Sequence, residues 1–180
     1  CGARIHVLHV TTAEEIEFLA GAKDVATVEV TPQHLTLDGD EAYERLKALA
    51  QMNPPIRNRP HIEGLWRGIA QGVVDVLGSD HAPHTREEKE RPYPASPSGM
   101  PGVQTMVPVM LTHVNNGKLS LRRFVERCQR YHFELVRQPG LIDNSHRPAI
   151  VDAPDCAIGD PVDFHRAVPG PGKANVMALC

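Results

Sequence analysis

The densest reactive cluster in this 180-residue chain is Asp80-His81-Ala82-Pro83-His84, a carboxylate and two imidazoles within one short stretch. Carboxylates bind metals and accept protons, and imidazole does both near neutral pH. Pro83 keeps His81 and His84 off one regular helix face, so both are expected in a loop, aimed in separate directions. A second candidate, His9, comes late in the apolar run Arg4-Ile5-His6-Val7-Leu8-His9-Val10, just ahead of Thr11 and Thr12. Side chains alternate along a strand, which places Ile5, Val7 and His9 on one face and His6, Leu8 and Val10 on the other. On that alternation His6 and His9 cannot hold one metal together. Two restricted loops complete the set. Met52-Asn53-Pro54-Pro55-Ile56-Arg57 is expected to be rigid and extended, because each proline fixes its own φ, and it can hold the Asn53 amide firmly. In Ser98-Gly99-Met100-Pro101-Gly102-Val103 the glycines let the backbone approach a ligand closely. Taken singly, each has an ordinary structural reading: a capping aspartate, a hydrogen-bonded buried histidine, a turn asparagine, a plain loop.

The elements that must position these groups alternate. Residues 4–10 read as a strand, and Thr11 or Thr12 offers an N-cap hydroxyl to a helix over Ala13–Ala20. A second strand covers Val25–Val30, ended by Pro32, and a second helix covers Asp40–Ala50. A third helix is expected over Ile62–Gln71, a third strand over Val73–Gly78, and further helices over about Val103–Asn115 and Ser120–Arg130. Strands alternating with helices imply an α/β fold with a parallel sheet, either doubly wound or closed as a (β/α)8 barrel. Both gather catalytic groups at the C-terminal ends of the strands, where His9 and Asp80 fall. A complete barrel needs roughly 250 residues, so this chain is expected to supply no more than the second half of one, residues 1–130. The absence of an initiator methionine, with a strand almost at once, also suggests a piece of something longer. From residue 131 to 180, Pro139, Pro148, Pro154, Pro161, Pro169 and Pro171 break every periodic pattern, and an irregular tail is expected.

Composition narrows the function. With 19 basic and 22 acidic residues interspersed, net charge −3, there is no electrostatic footprint of a nucleic-acid binder. The longest apolar runs, such as Met106–Leu111, fall far short of the ~20 residues that cross a bilayer, so no membrane association and a cytoplasmic location are expected. Cys1, Cys128, Cys156 and Cys180 form no CxxC pair, which points to neither a zinc knuckle nor a disulfide framework.

Five segments occur together and in order: His9-Val10-Thr11-Thr12, Glu29 to Leu35, Met52 to Arg57, Gly78 to Thr85, and Gly99 to Thr105. Over residues 1 to about 112 this arrangement resembles the dihydroorotases of the amidohydrolase superfamily, the Asp80–His84 run followed by the Gly99-Met100-Pro101-Gly102 loop being the specific part. The resemblance implies the C-terminal portion of a (β/α)8 barrel, with strands six, seven and eight ending at His9, Val30 and Asp80. It also implies a binuclear zinc centre and reversible opening of dihydroorotate to N-carbamoyl-aspartate in pyrimidine biosynthesis. His9 then corresponds to a zinc ligand, and Asp80 to the strand-eight aspartate that touches metal and serves as general base and acid. Asn53, His84 and the backbone at Pro101 and Gly102 correspond to substrate-binding positions, His84 near the substrate carboxylate.

The first-strand histidine pair, the bridging carboxylate or carboxylated lysine and the strand-five histidine of such enzymes belong to the barrel's first half. One His and one Asp fall short of the three protein ligands a zinc site takes, so the isolated chain is expected to be inactive. Cutting a barrel also bares the inner faces of its strands, and instability or association follows. Gln33 stands where many relatives carry histidine, which is expected to change packing only. The alternatives are an allantoinase or dihydropyrimidinase type of cyclic amidohydrolase, or a non-catalytic dihydroorotase-like partner subunit. The expected partners are a small-molecule substrate and further copies of the same protein in a homo-oligomer.

Overall fold

A computed structural model of the chain describes residues 3–136, all within the first of two units, Cys1–Ile142. Three parallel strands, β1 (Ile5–Val7), β2 (Ala26–Val30) and β3 (Val76–Leu77), lie side by side in sequence order. The register pairs Ile5 with Ala26, and Glu29 with Val76. Each strand is added beside the last, which is the pattern of successive βαβ crossovers.

Helix α1 (Ala13–Ala20) starts at Thr12, whose hydroxyl accepts from the Glu15 amide while the Glu15 carboxylate accepts from the Thr12 amide. This reciprocal cap settles the choice between Thr11 and Thr12. Its buried residues Ile16 and Leu19 pack on β2, whose Val28 and Val30 are fully enclosed, and on Leu65 and Ile69 of α4 (Arg59–Gln71). Burial of all of the central strand but the half-buried Thr27 fits a parallel sheet covered by its crossover helices.

Two short helices depart from expectation. Pro32 ends β2, but it also opens α2 (Pro32–Thr36), because its fixed φ suits the first helical turn and Thr31 caps it. The expected helix over Asp40–Ala50 divides into α3 (Gly39–Leu46) and a 3-10 turn over Lys47–Ala50, broken where Lys47 takes φ 52°. The third strand is shorter than Val73–Gly78. Asp75, just before it, donates its amide to Val28 O at 2.8 Å, but the returning Val28 amide is taken by the Asp75 carboxylate, which also meets Lys23. After it come α5 (Arg86–Lys89), α6 (Val103–Asn115) and α7 (Leu121–Val136). Helix α7 thus runs on past residue 130, and the remainder of the expected tail lies outside the described residues. Ile5 on β1 and Leu8 just after it are exposed, 56% and 52%, and β1 is paired on one side among the described residues. No described helix is long and apolar enough to cross a membrane.

His34 on α2 is buried, with Nδ1 2.7 Å from the Thr31 hydroxyl and Nε2 3.0 Å from the Pro54 carbonyl. A neutral ring serves both, with Nε2–H donating to the carbonyl and Nδ1 accepting from the hydroxyl, and burial favours that form. Burial lowers its pKa below the ordinary histidine value. The unfolded chain therefore takes up a proton at a pH where the folded one does not. His34's contribution to stability is whole above about pH 6.5 and is lost as pH falls from there through the depressed folded value. The urea midpoint should drop between pH 7 and pH 5.5, and drop less in His34→Gln; equal drops in both would refute this.

Candidate active site

The strands deliver their last residues to one edge of the sheet. Strand β1 stops at Val7, and His9 then takes φ 53°, while Asp80, after β3, takes φ 40°. Left-handed backbone disfavours a side chain by roughly 1–2 kcal/mol, so the ladder bonds that flank these residues must hold them. Val10 N donates to Glu29 O at 2.9 Å, and Gly78 N donates to Val30 O at 3.0 Å. Three residues then meet. His9 Nε2 lies 3.5 Å from Asp80 Oδ1, and His9 Nδ1 lies 2.9 Å from Glu29 Oε1.

Glu29 is a carboxylate on the central strand, 3% exposed. It lies directly over Gly78, where any Cβ would collide with its carboxylate. His6 Nε2 also reaches it, at 3.7 Å. This corrects the expectation that His6 and His9 face opposite sides. Strand alternation ends at Val7, and the left-handed turn at His9 brings its ring back to the carboxylate that His6 also approaches. The sequence reading missed Glu29 as a site residue; its signal is the one charged residue in the β-forming run 25–30, with a glycine just after a neighbouring strand.

His81 and His84 do point in separate directions. His81 Nδ1 accepts from the amides of Gly102 and Val103, at 3.1 and 3.4 Å, and so caps α6, whose N-cap Gly102 has no side chain to do it. His84 Nε2 donates to the Ser98 carbonyl at 3.0 Å. Gly102 is pressed on the Ser79 carbonyl so closely that no side chain fits there, while Pro101 is exposed. Gln33 does more than pack, since its Nε2 donates to that same Ser79 carbonyl at 3.0 Å. Asn53 is exposed and lines a cavity of about 720 Å³ together with Ser98, Gln51 and Tyr93. The structure thus joins His9 to Asp80, ties His84 to the loop of Pro101 and Gly102, and sets Asn53 beside that loop's start.

Whether these groups suit a metal is a question of spacing and donor chemistry. Neighbouring ligands on a tetrahedral zinc stand ~3.3 Å apart when each bond is 2.0–2.1 Å. The His9 Nε2 to Asp80 Oδ1 distance of 3.5 Å matches, and His9 Nδ1, buried, lies 2.9 Å from the Glu29 carboxylate but makes no hydrogen bond to it. Among the described residues, no group of three or more His, Cys, Asp or Glu could hold a metal ion. The pair therefore fits as part of a site.

No family model matches the chain. It is 43% identical over 122 residues to a dihydroorotase of Halobacterium salinarum, covering 68% of this chain and 28% of that one. The solved L-hydantoinase (dihydropyrimidinase) of Arthrobacter aurescens superposes with a TM-score of 0.70 and 34% identity, over 77% of this chain and 32% of that one. The dihydroorotase of Saccharomyces cerevisiae, solved with 5-fluoroorotic acid, shares the fold at 16% identity, with a TM-score of 0.65 over 76% and 39% of the two chains. The chain spans a third or less of the length of the curated relatives.

Gly78→Ala forces a methyl group into the Glu29 carboxylate, and overpacking of that kind costs about 1–3 kcal/mol. Gly78→Ala combined with Glu29→Ala should lose less stability than the two single changes summed, measured by urea unfolding. Plain additivity would show that the two residues do not share the space.

Proposed function

The chain is homologous to part of the dihydroorotases, and from that premise we propose that it forms the C-terminal portion of a zinc-dependent cyclic amidohydrolase, strands six to eight of a (β/α)8 barrel, that reversibly opens dihydroorotate to N-carbamoyl-aspartate. The observation that carries this is the His9–Asp80 pair at the strand ends, backed by Glu29. A divalent metal held there would acidify a bound water and polarise the ring carbonyl.

The chain's own residues do the rest. His9 offers Nε2 as ligand, with Glu29 behind Nδ1 to fix the ring. Asp80 accepts the proton of the attacking water and returns it to the departing ring nitrogen as the C–N bond breaks and the C–O bond forms. Asn53 and the backbone at Pro101 and Gly102 bind the substrate. His84 acts toward its carboxylate through the loop it anchors at Ser98. Two protein ligands are fewer than a zinc site takes, so the chain alone is inactive and the remaining ligands come from outside the described residues. The complete enzyme works on a small soluble substrate in pyrimidine biosynthesis, as a homo-oligomer.

The 34% identity to a hydantoinase over 77% of this chain supports a second reading, in which the substrate is a hydantoin or dihydropyrimidine without a carboxylate. Rates on dihydroorotate and hydantoin, measured on the full-length protein, decide between the two. A higher kcat/KM on dihydroorotate is expected, and the reverse would move the assignment to the hydantoinases. In either case Asp80→Asn should lower kcat by roughly 10²–10⁴-fold. A rate within threefold of wild type would remove Asp80 from the mechanism.

A further inference from the structure

Lys89, the last residue of α5, is buried at 6% exposure, yet among the described residues no carboxylate pairs with it. Burial pushes its amine toward the neutral form, so an ammonium at this place opposes folding unless its protons are well used. They are used on two carbonyls from different parts of the chain. Nζ donates to Gln51 O at 2.8 Å and to Pro97 O at 2.9 Å. Gln51 stands two residues before Asn53, and Pro97 directly before the Ser98–Gly102 loop. The same two segments are knotted again around this amine. Gly99 N donates to Gln51 O at 3.0 Å, the Gln51 side-chain amide donates to Ser96 O at 3.0 Å, and the Ser96 hydroxyl donates to Lys89 O at 3.3 Å. A long flexible stem ending in three donors can reach both carbonyls from the helix, which no neutral side chain does as well.

We infer that Lys89 is a positioning residue: its ammonium bolts the Asn53 loop to the start of the Ser98–Gly102 loop and so fixes where Asn53 and Ser98 stand on the cleft that both line. That the cleft receives substrate rests on the reading proposed above, but the bolt itself does not. It is tested by amide hydrogen exchange on the full-length protein, with no turnover needed. In Lys89→Met, the Gly99 amide should exchange about tenfold faster or more, the loss expected for hydrogen bonds to a charged donor, while the core amides of Val28 and Val74 hold their wild-type rates. An unchanged Gly99, or core amides that accelerate by the same factor, overturns the inference.

Should Lys89→Met fail to fold, Ser96→Ala loosens the same knot and leaves the charge. It should speed Gly99 by about threefold with the core unchanged, the loss of one neutral hydrogen bond, and no change at Gly99 overturns the proposal. In the full-length enzyme, Lys89→Met should raise KM about tenfold with kcat within threefold, since it disturbs binding geometry and not the reacting groups. A fall in kcat at constant KM would contradict the positioning role. A protein that turns over no cyclic amide, yet shows the exchange pattern, loses the functional reading and keeps the bolt.

Discussion

The site depends on one buried carboxylate. Glu29 sits buried on the central strand, where an unpaired charge would cost several kcal/mol. Two features make it tolerable. Gly78 just after the neighbouring strand leaves the space that its carboxylate occupies, and His9 and His6 approach that carboxylate at 2.9 and 3.7 Å. The consequence runs outward, because a carboxylate facing Nδ1 of His9 decides which ring nitrogen is directed elsewhere. Nε2 is left to face Asp80 at 3.5 Å.

The backbone makes the same commitment. Among the described residues, three other than glycine adopt a left-handed φ, and two of them are His9 and Asp80. A strand that continued straight through either residue would send the side chain to the face dictated by alternation. The turn at each strand end re-aims it instead, with the ladder bonds of Val10 and Gly78 supplying the restraint. Strain placed where two side chains converge, and opposed by the sheet below, is how a rigid scaffold can hold a site.

How much of this the sequence discloses follows from the range of each interaction. Strand β2 and helices α1, α4 and α6 are legible because apolar periodicity and local caps lie within a few residues of one another. The Thr85 to Glu88 capping box of α5 and the Pro32 start of α2 are equally local, and both are readable by the same rules once Pro is taken as a helix opener as well as a strand stop. His9 and Asp80 stand out because strand ends in parallel α/β folds collect reactive groups. Glu29 does not, since its meaning lies in Gly78, far along the chain, and no periodic pattern links an acid on one strand to a missing side chain at the end of the next. The alternation rule fails at His6 and His9 for a related reason, a single left-handed residue that composition does not announce. Lys89 reads as one more charge in a polar run until its two carbonyl partners are seen.

The order of the strands carries the last step. His9 follows β1 and Asp80 follows β3, the two outer strands of the described sheet, while Glu29 lies on β2 between them. The pair therefore closes over the central strand of the described sheet. On the proposed reading, further ligands arrive from strands beyond β1 or β3, since β2 already has a neighbour on each side. Nothing in the His9–Glu29–Asp80 arrangement has to move to receive them, because Glu29 and the strand-end turns fix its orientation from below. On that reading the half-site is preorganised by its own strands, and the geometry of His9 and Asp80 belongs to this part of the fold.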